Sequence, residues 1–223
     1  MRTKLFVQAV IKMAAGFVLM AALLFLPAGT LSYGGAWWLL FLLFAPMTVL
    51  GALMLVRKPE LLAKRLDAKE KRGEQKAVVG VSALMFVLGF VLAGLDFRFG
   101  WTAVPAAVSD AASAVFLLAY GLYAEVIREN AWLSRTIEVR PEQKVVDTGL
   151  YALVRHPMYT STLLLFLAMP LILGSFAALA VFLFYPAVIV RRIRDEEELL
   201  RAELAGYEDY CRRVKHRLLP CIW

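Results

Sequence analysis

Four stretches of this chain carry no charged residue: 13–31, 36–56, 77–95 and 158–190. A fifth, 103–124, carries only Asp110. A helix of about 20 apolar residues spans the roughly 30 Å hydrocarbon core of a bilayer. Lipid offers no partner to a backbone amide or carbonyl, so a segment crossing it closes its own hydrogen bonds as a helix. The apolar residues come in blocks rather than in amphipathic stripes. These blocks restrict the chain to an all-α integral membrane class. Composition agrees: 61% of residues are hydrophobic and the mean hydropathy is +0.68, whereas soluble domains are about half apolar.

The charged residues fall between the blocks. The net charge of +7 is therefore the positive-inside pattern of a membrane protein. No recognition motif accompanies it, which argues against a nucleic-acid partner and for contact with membrane lipids. The segment Arg57 to Lys76 holds eight Lys/Arg and four Asp/Glu and is read as a solvated loop touching anionic lipid headgroups, with a short amphipathic helix around Leu61, Leu62 and Leu66 as the alternative. Residues 125–156 form a polar connector with some extended backbone. Residues 191–223 are expected to be one amphipathic helix, with Ile193, Leu200, Leu204 and Tyr207 on its apolar stripe. With the N-terminus inside, four crossings put these three polar regions on one face, the cytoplasm.

The basic start and apolar run of the first span imitate a signal peptide. The spans that follow favour a transmembrane helix instead. Trp37 and Trp38 suit interfacial anchoring. Asp110 near the end of a span is read as snorkelling to the interface, with a buried functional carboxylate as the alternative. The run 158–190 is too long for one ordinary span. Pro170, Gly174 and Ser175 break it into halves of about 15 residues, or roughly 22 Å each as helix, which predicts a tight hairpin, tilted or not fully crossing. The resulting architecture is about four transmembrane helices (1–124), then a region (125–223) with connector, hairpin and C-terminal helix.

Chemistry concentrates in two clusters. Gly149 to Tyr159 reads GLYALVRHPMY and contains His156, one of two histidines. Pro157 biases its predecessor away from the α region, so a helix can start at Pro157 but not run through His156. Arg191 to Glu198 reads RRIRDEEE. A hairpin over 158–190 brings its two ends together, so the clusters are predicted to be neighbours. Arg192 and Glu196, four apart, share a helix face. A carboxylate can bind an ammonium or ribose hydroxyls, and amides near Pro157 suit a carboxylate ligand. Tyrosine rings or a carboxylate stabilise a sulfonium. The set suits a zwitterionic, nucleoside-bearing ligand. The plainer alternative is that Arg155 and Arg192 anchor at the membrane face and the glutamates solvate a surface helix.

No P-loop, GxGxxG, HExxH or GxSxG motif occurs. A metal site would need His156 and His216 to meet with a carboxylate, and none is expected. Cys211 and Cys221 make neither a CxxC motif nor a disulfide framework, and Cys221-Ile222-Trp223 is one residue short of a prenylation box.

The patterns TGLYxxxRHPxY, RxxxEExxL and YxxYxxRVxxRLLP, over about Gln143 to Pro220, resemble the isoprenylcysteine carboxyl methyltransferase family of integral membrane enzymes. Looser likeness extends to membrane phospholipid N-methyltransferases and sterol reductases. The resemblance implies an S-adenosylmethionine-dependent methyltransferase. Gln143, Lys144, Val145, Val146, Tyr151, His156, Pro157, Met158 and Tyr159 would bind the cofactor. Glu196 would contact it from the last helix, with Glu197 the alternative. The chain has Gln143 where relatives carry His. Arg192, Glu196 and His156 are the implied catalytic residues, with Arg192 orienting a carboxylate acceptor. A lipophilic or lipidated acceptor would enter from the bilayer and the cofactor from the cytoplasm. The tail reads like that of a bacterial member, which implies the inner membrane. The competing expectations are an NADPH-dependent membrane reductase and a non-enzymatic membrane protein.

Overall fold

A computed structural model describes residues 2–66, 73–130, 132–133, 139, 142–220 and 222–223. Residues 67–72 of the basic segment, 134–138 and 140–141 of the connector, and Cys221 lie outside them. The described residues form ten helices: α1 (Arg2–Ala28), α2 (Gly34–Arg57), α3 (Pro59–Leu66), α4 (Gly73–Phe99), α5 (Ala106–Glu129), α6 (Gly149–Leu153), α7 (Pro157–Ile172), α8 (Phe176–Phe182), α9 (Tyr185–Glu203) and α10 (Tyr207–Arg213). No strand occurs among them.

The protein is all-α and integral to the membrane. The four expected N-terminal spans are present as α1, α2, the Ala77–Phe99 part of α4, and α5. Large apolar side chains face outward along them, including Val18, Leu26, Phe41, Leu84 and Leu118, as a lipid-facing surface requires. Between helices, packing relies on close approach of small residues. A Cβ at Gly94 of α4 would lie 2.6 Å from the Leu24 carbonyl of α1, and one at Gly89 would lie 2.3 Å from the Phe182 ring of α8.

The short helix weighed near Leu61 as the alternative to a solvated loop is present as α3. Its neighbours are the start of α1 and the end of α2, and Lys12 donates to the Leu66 carbonyl. Asp110 is exposed in the second turn of α5, which fits snorkelling.

Three expectations are corrected. The hairpin is unequal. Its outgoing limb, α7, has 16 residues, about 24 Å, whereas the return limb Phe176–Glu203 is long enough to cross. Nothing breaks the helix where the apolar run ends at Val190, so α9 continues into the charged run. The C-terminal segment is not one helix. Gly206, at φ +82°, turns the chain between α9 and α10. Leu204, Tyr207, Tyr210 and Val214 then form a separate small core, against which Val145 and Leu200 pack. Finally, the helix in the third span does not stop at Leu95 but runs to Phe99, and α5 runs on to Glu129.

The extension of α4 buries Asp96, which is 1% exposed. Its carboxylate accepts from the Thr102 amide at 2.7 Å and from the hydroxyls of Thr102 and Ser175. Ser175 also caps α8, accepting from the Ala178 amide at 3.0 Å. Nearby, Tyr33 donates to the Leu173 carbonyl at 2.6 Å and Ser109 to the Leu171 carbonyl at 2.8 Å. The α1–α2, α4–α5 and α7–α8 turns are thus tied together at one end of the bundle, leaving the connector and the charged end of α9 at the other. Asp96→Ala strands three donors, each costing about 1–3 kcal/mol when buried and unpaired. A thermal midpoint lowered by roughly 6 °C or more in detergent is expected. Asp110→Ala should stay within about 2 °C. Equal midpoints would show that the Asp96 tie does not support the fold.

Candidate active site

The loop around His156 is held from both sides. The last turn of α5 presents Glu129, which accepts from the Leu150 amide at 3.0 Å and the Thr148 hydroxyl at 3.4 Å. Gly149 lies against that carboxylate with φ +49°, and a Cβ there would sit 1.7 Å from Glu129 Oε1. Both the backbone angle and the space demand glycine. Asn130 donates to the Tyr151 hydroxyl at 2.9 Å, and Tyr210 donates to the Tyr151 carbonyl at 2.7 Å. His156 is then the N-cap of α7 with Pro157 in its first turn, where a missing N–H costs nothing.

The C-terminal tail pairs with this loop. The Arg155 and His156 amides donate to the His216 and Arg217 carbonyls at 2.9 and 2.8 Å. Thr160 donates to the Leu218 carbonyl at 2.7 Å. Beneath the pairing lies Glu197, 4% exposed. Its Oε1 accepts from Arg155 Nε at 2.7 Å and faces His156 Nε2 at 3.2 Å. Its Oε2 accepts from Arg217 Nε at 3.1 Å and pairs with Arg201 at 3.5 Å. Arg155 spends a further nitrogen on the Val214 and Lys215 carbonyls, at 2.7 and 3.0 Å. Burial works against its charge, but the Glu197 carboxylate outweighs burial and holds its pKa above the ordinary value.

Beside this buried hub opens a cleft with about 850 Å³ of space, part of it open solvent. On its α9 side, Tyr159 donates to Glu196 Oε2 at 2.6 Å while Arg192 Nε donates to the Tyr159 hydroxyl at 2.9 Å. The predicted meeting of the two clusters is therefore realised through Tyr159–Glu196 and His156–Glu197. On the opposite side the wall is Tyr151 and the connector. At the far end sits Tyr207, 4% exposed, whose hydroxyl has no hydrogen-bond partner among the described residues.

Gln143, Lys144, Val145, Val146, Tyr151, His156, Met158, Tyr159, Arg192 and Glu196 all line the cleft. Pro157 and Glu197 do not: Pro157 starts α7 and Glu197 lies behind the wall. Glu196 and Glu197 thus point to different places. The buried face of α9 repeats every four residues, Tyr185, Ile189, Ile193, Glu197. That spacing was a legible signal for which glutamate turns inward. Sequence reasoning missed Asn130, Trp132, Leu133, Leu200, Leu204, Tyr207 and Tyr210 as cleft residues, and Arg155 and Arg217 as partners of Glu197. Tertiary contact alone brings most of these in.

Fold and site together define an integral membrane protein with a cleft walled by charged, aromatic and apolar side chains of the connector, α7, α9 and α10. Residues 111–202 match the isoprenylcysteine carboxyl methyltransferase (ICMT) family. The match starts in α5, ahead of the motifs that suggested it, and ends before α10. The chain is also 32% identical over 91 residues to the Delta(14)-sterol reductase TM7SF2 of Mus musculus, covering 40% of this chain and 22% of that protein. It is 33% identical over 88 residues to the nickel-cobalt-cadmium resistance protein NccN of Alcaligenes xylosoxydans xylosoxydans. It is 36% identical, again over 88 residues, to the cobalt-zinc-cadmium resistance protein CzcN of Cupriavidus metallidurans. Each of these two alignments covers 37% of this chain and 39% of the relative. The chain thus covers well under half the length of these relatives.

Proposed function

We propose that the protein is a membrane-embedded, S-adenosylmethionine-dependent methyltransferase acting on a lipophilic or membrane-associated acceptor, with carboxylate O-methylation favoured. The carrying observation is the Arg192–Tyr159–Glu196 chain of hydrogen bonds on one wall of the cleft, in a segment that matches the methyltransferase family. The donor set fits the cofactor. Glu196 and the rings of Tyr151 and Tyr159 suit a cationic centre, Gln143 and Lys144 offer polar contacts, and Val145, Val146 and Met158 offer apolar ones. The orphaned Tyr207 hydroxyl fits a cleft that is completed by a ligand.

Bound S-adenosylmethionine supplies an electrophilic methyl group on a sulfonium. The residues of this chain need to align and desolvate the acceptor. Arg192 lies two residues past the end of the apolar run, so it meets the acceptor at the membrane boundary and can orient a carboxylate. Tyr159 fixes Arg192 relative to Glu196. A carboxylate acceptor needs no base. For an amine, thiol or hydroxyl, Glu196 is the better placed base, since His156 Nε2 faces Glu197. In this reading the cleft opens to the cytoplasm of a bacterial cell and the acceptor arrives from the inner membrane.

The sterol reductase likeness supports a second reading, an NADPH-dependent reductase. Against it, one of the three Lys/Arg residues among the described cleft walls, Arg155, is already neutralised by Glu197, which leaves Lys144 and Arg192 for the several phosphates of a dinucleotide. Calorimetric titration of the purified, folded protein with S-adenosylhomocysteine and with NADPH separates the readings. Binding and thermal protection by S-adenosylhomocysteine alone are expected. Protection by NADPH alone would replace the proposal with the second reading.

A further inference from the structure

Tyr207 stands apart from the other tyrosines of this end of the molecule. Tyr151, Tyr159 and Tyr210 each have a hydroxyl committed to a protein partner. The Tyr207 hydroxyl is buried with no hydrogen-bond partner among the described residues, although its ring lines the cleft. A buried phenol that bonds neither to protein nor to water loses its solvation without return. Such a group in a cleft wall is the signature of a donor whose acceptor arrives with the ligand.

The surroundings say what it can offer. Burial first, then the charge of Glu197, push the phenol well above its ordinary pKa, so it keeps its proton and acts as a donor. The ring is clamped by Leu204, Tyr210 and Val214, with Val145 and Leu200 packed on the same small core. Gly206 turns the chain immediately before it. The hydroxyl therefore has a fixed position in the cleft wall.

We infer that Tyr207 is a ligand-binding residue whose hydroxyl donates a hydrogen bond to the nucleoside-bearing cofactor in the cleft. This rests on the function proposed above and adds to the cleft a donor from α10, beyond the segment that matches the family. It makes α10 part of the binding site rather than a cover for it.

Tyr207→Phe removes the hydroxyl and nothing else. In the full-length protein in detergent, its thermal midpoint without ligand should equal or exceed that of wild type, because an unpaired buried polar group is lost. Its affinity for S-adenosylhomocysteine, by calorimetry, should fall about tenfold. Tyr210→Phe, which breaks the bond to the Tyr151 carbonyl, should instead lower the midpoint. A Tyr207→Phe affinity within twofold of wild type overturns the inference, as does a lowered ligand-free midpoint, which would reveal a structural partner. Wild type that binds NADPH and not S-adenosylhomocysteine sinks the methyltransferase reading alone, and the same comparison is then made with NADPH. Binding of neither ligand overturns both.

Discussion

Glu197→Ala lowers the stability of the folded protein by about 3–5 kcal/mol, the cost of removing one partner of a buried ion pair. The side chains of Arg155 and Glu197 are each 5% exposed, so the guanidinium left behind keeps its charge without a counterion. Arg217 and His156 lose their partner as well. The tail then loses its Arg217 tie to α9 and keeps Thr160–Leu218 on α7, the two amide pairings to the Arg–His loop and the Arg155 bonds to the Val214 and Lys215 carbonyls. In detergent, the thermal midpoint should drop by roughly 6–20 °C. Glu197→Gln keeps one acceptor and should fall between the two. Arg212→Ala, on the exposed face of α10 with side-chain exposure of 76%, should shift the midpoint by no more than about 2 °C. A Glu197→Ala midpoint equal to that of Arg212→Ala would mean that the buried hub is not a structural element.

Arg192→Ala should abolish most methyl transfer while leaving cofactor binding nearly intact. Arg192 is half-buried, bonded to Tyr159, and stands where the apolar run of α9 ends. Misplacing an acceptor by about 1 Å can cost on the order of a hundredfold in rate, and loss of the arginine removes the group that positions it. Labelled-methyl incorporation into a lipid extract should therefore fall by about a hundredfold or more. S-adenosylhomocysteine affinity should change by less than about threefold. Glu196→Gln should do the reverse, weakening affinity first, because Glu196 faces the cleft and accepts from Tyr159. Equal losses of affinity in Arg192→Ala and Glu196→Gln would merge the two roles and remove the separate acceptor site.

The two substitutions of neighbouring glutamates thus have different readouts, one in stability and one in binding. Their separation comes from helical geometry. Residues 196 and 197 point about 100° apart on α9, so one reaches the cleft and the other reaches the buried face set by Tyr185, Ile189 and Ile193.

The charge-free blocks by themselves determined the helical membrane class, because lipid gives a crossing backbone no other way to pair. The Pro157 rule determined that α7 begins after His156, and the hairpin placed the Arg–His loop beside α9. These are local or near-local consequences of chain stiffness and solvent. Only the tertiary structure decided that Glu197 is the hub, that Asp96 is buried, and that the tail pairs with the loop. Those outcomes depend on contacts such as Arg155–Glu197 and Asp96–Ser175, 42 and 79 residues apart, which no periodicity encodes. The tail carries as much charge as any solvated helix, and the burial of Val214 and Leu218 within it follows from the partners that meet them. The same holds for Tyr207. Its place in a closing motif was visible in the sequence, but that its hydroxyl has no partner among the described residues is a property of the packing.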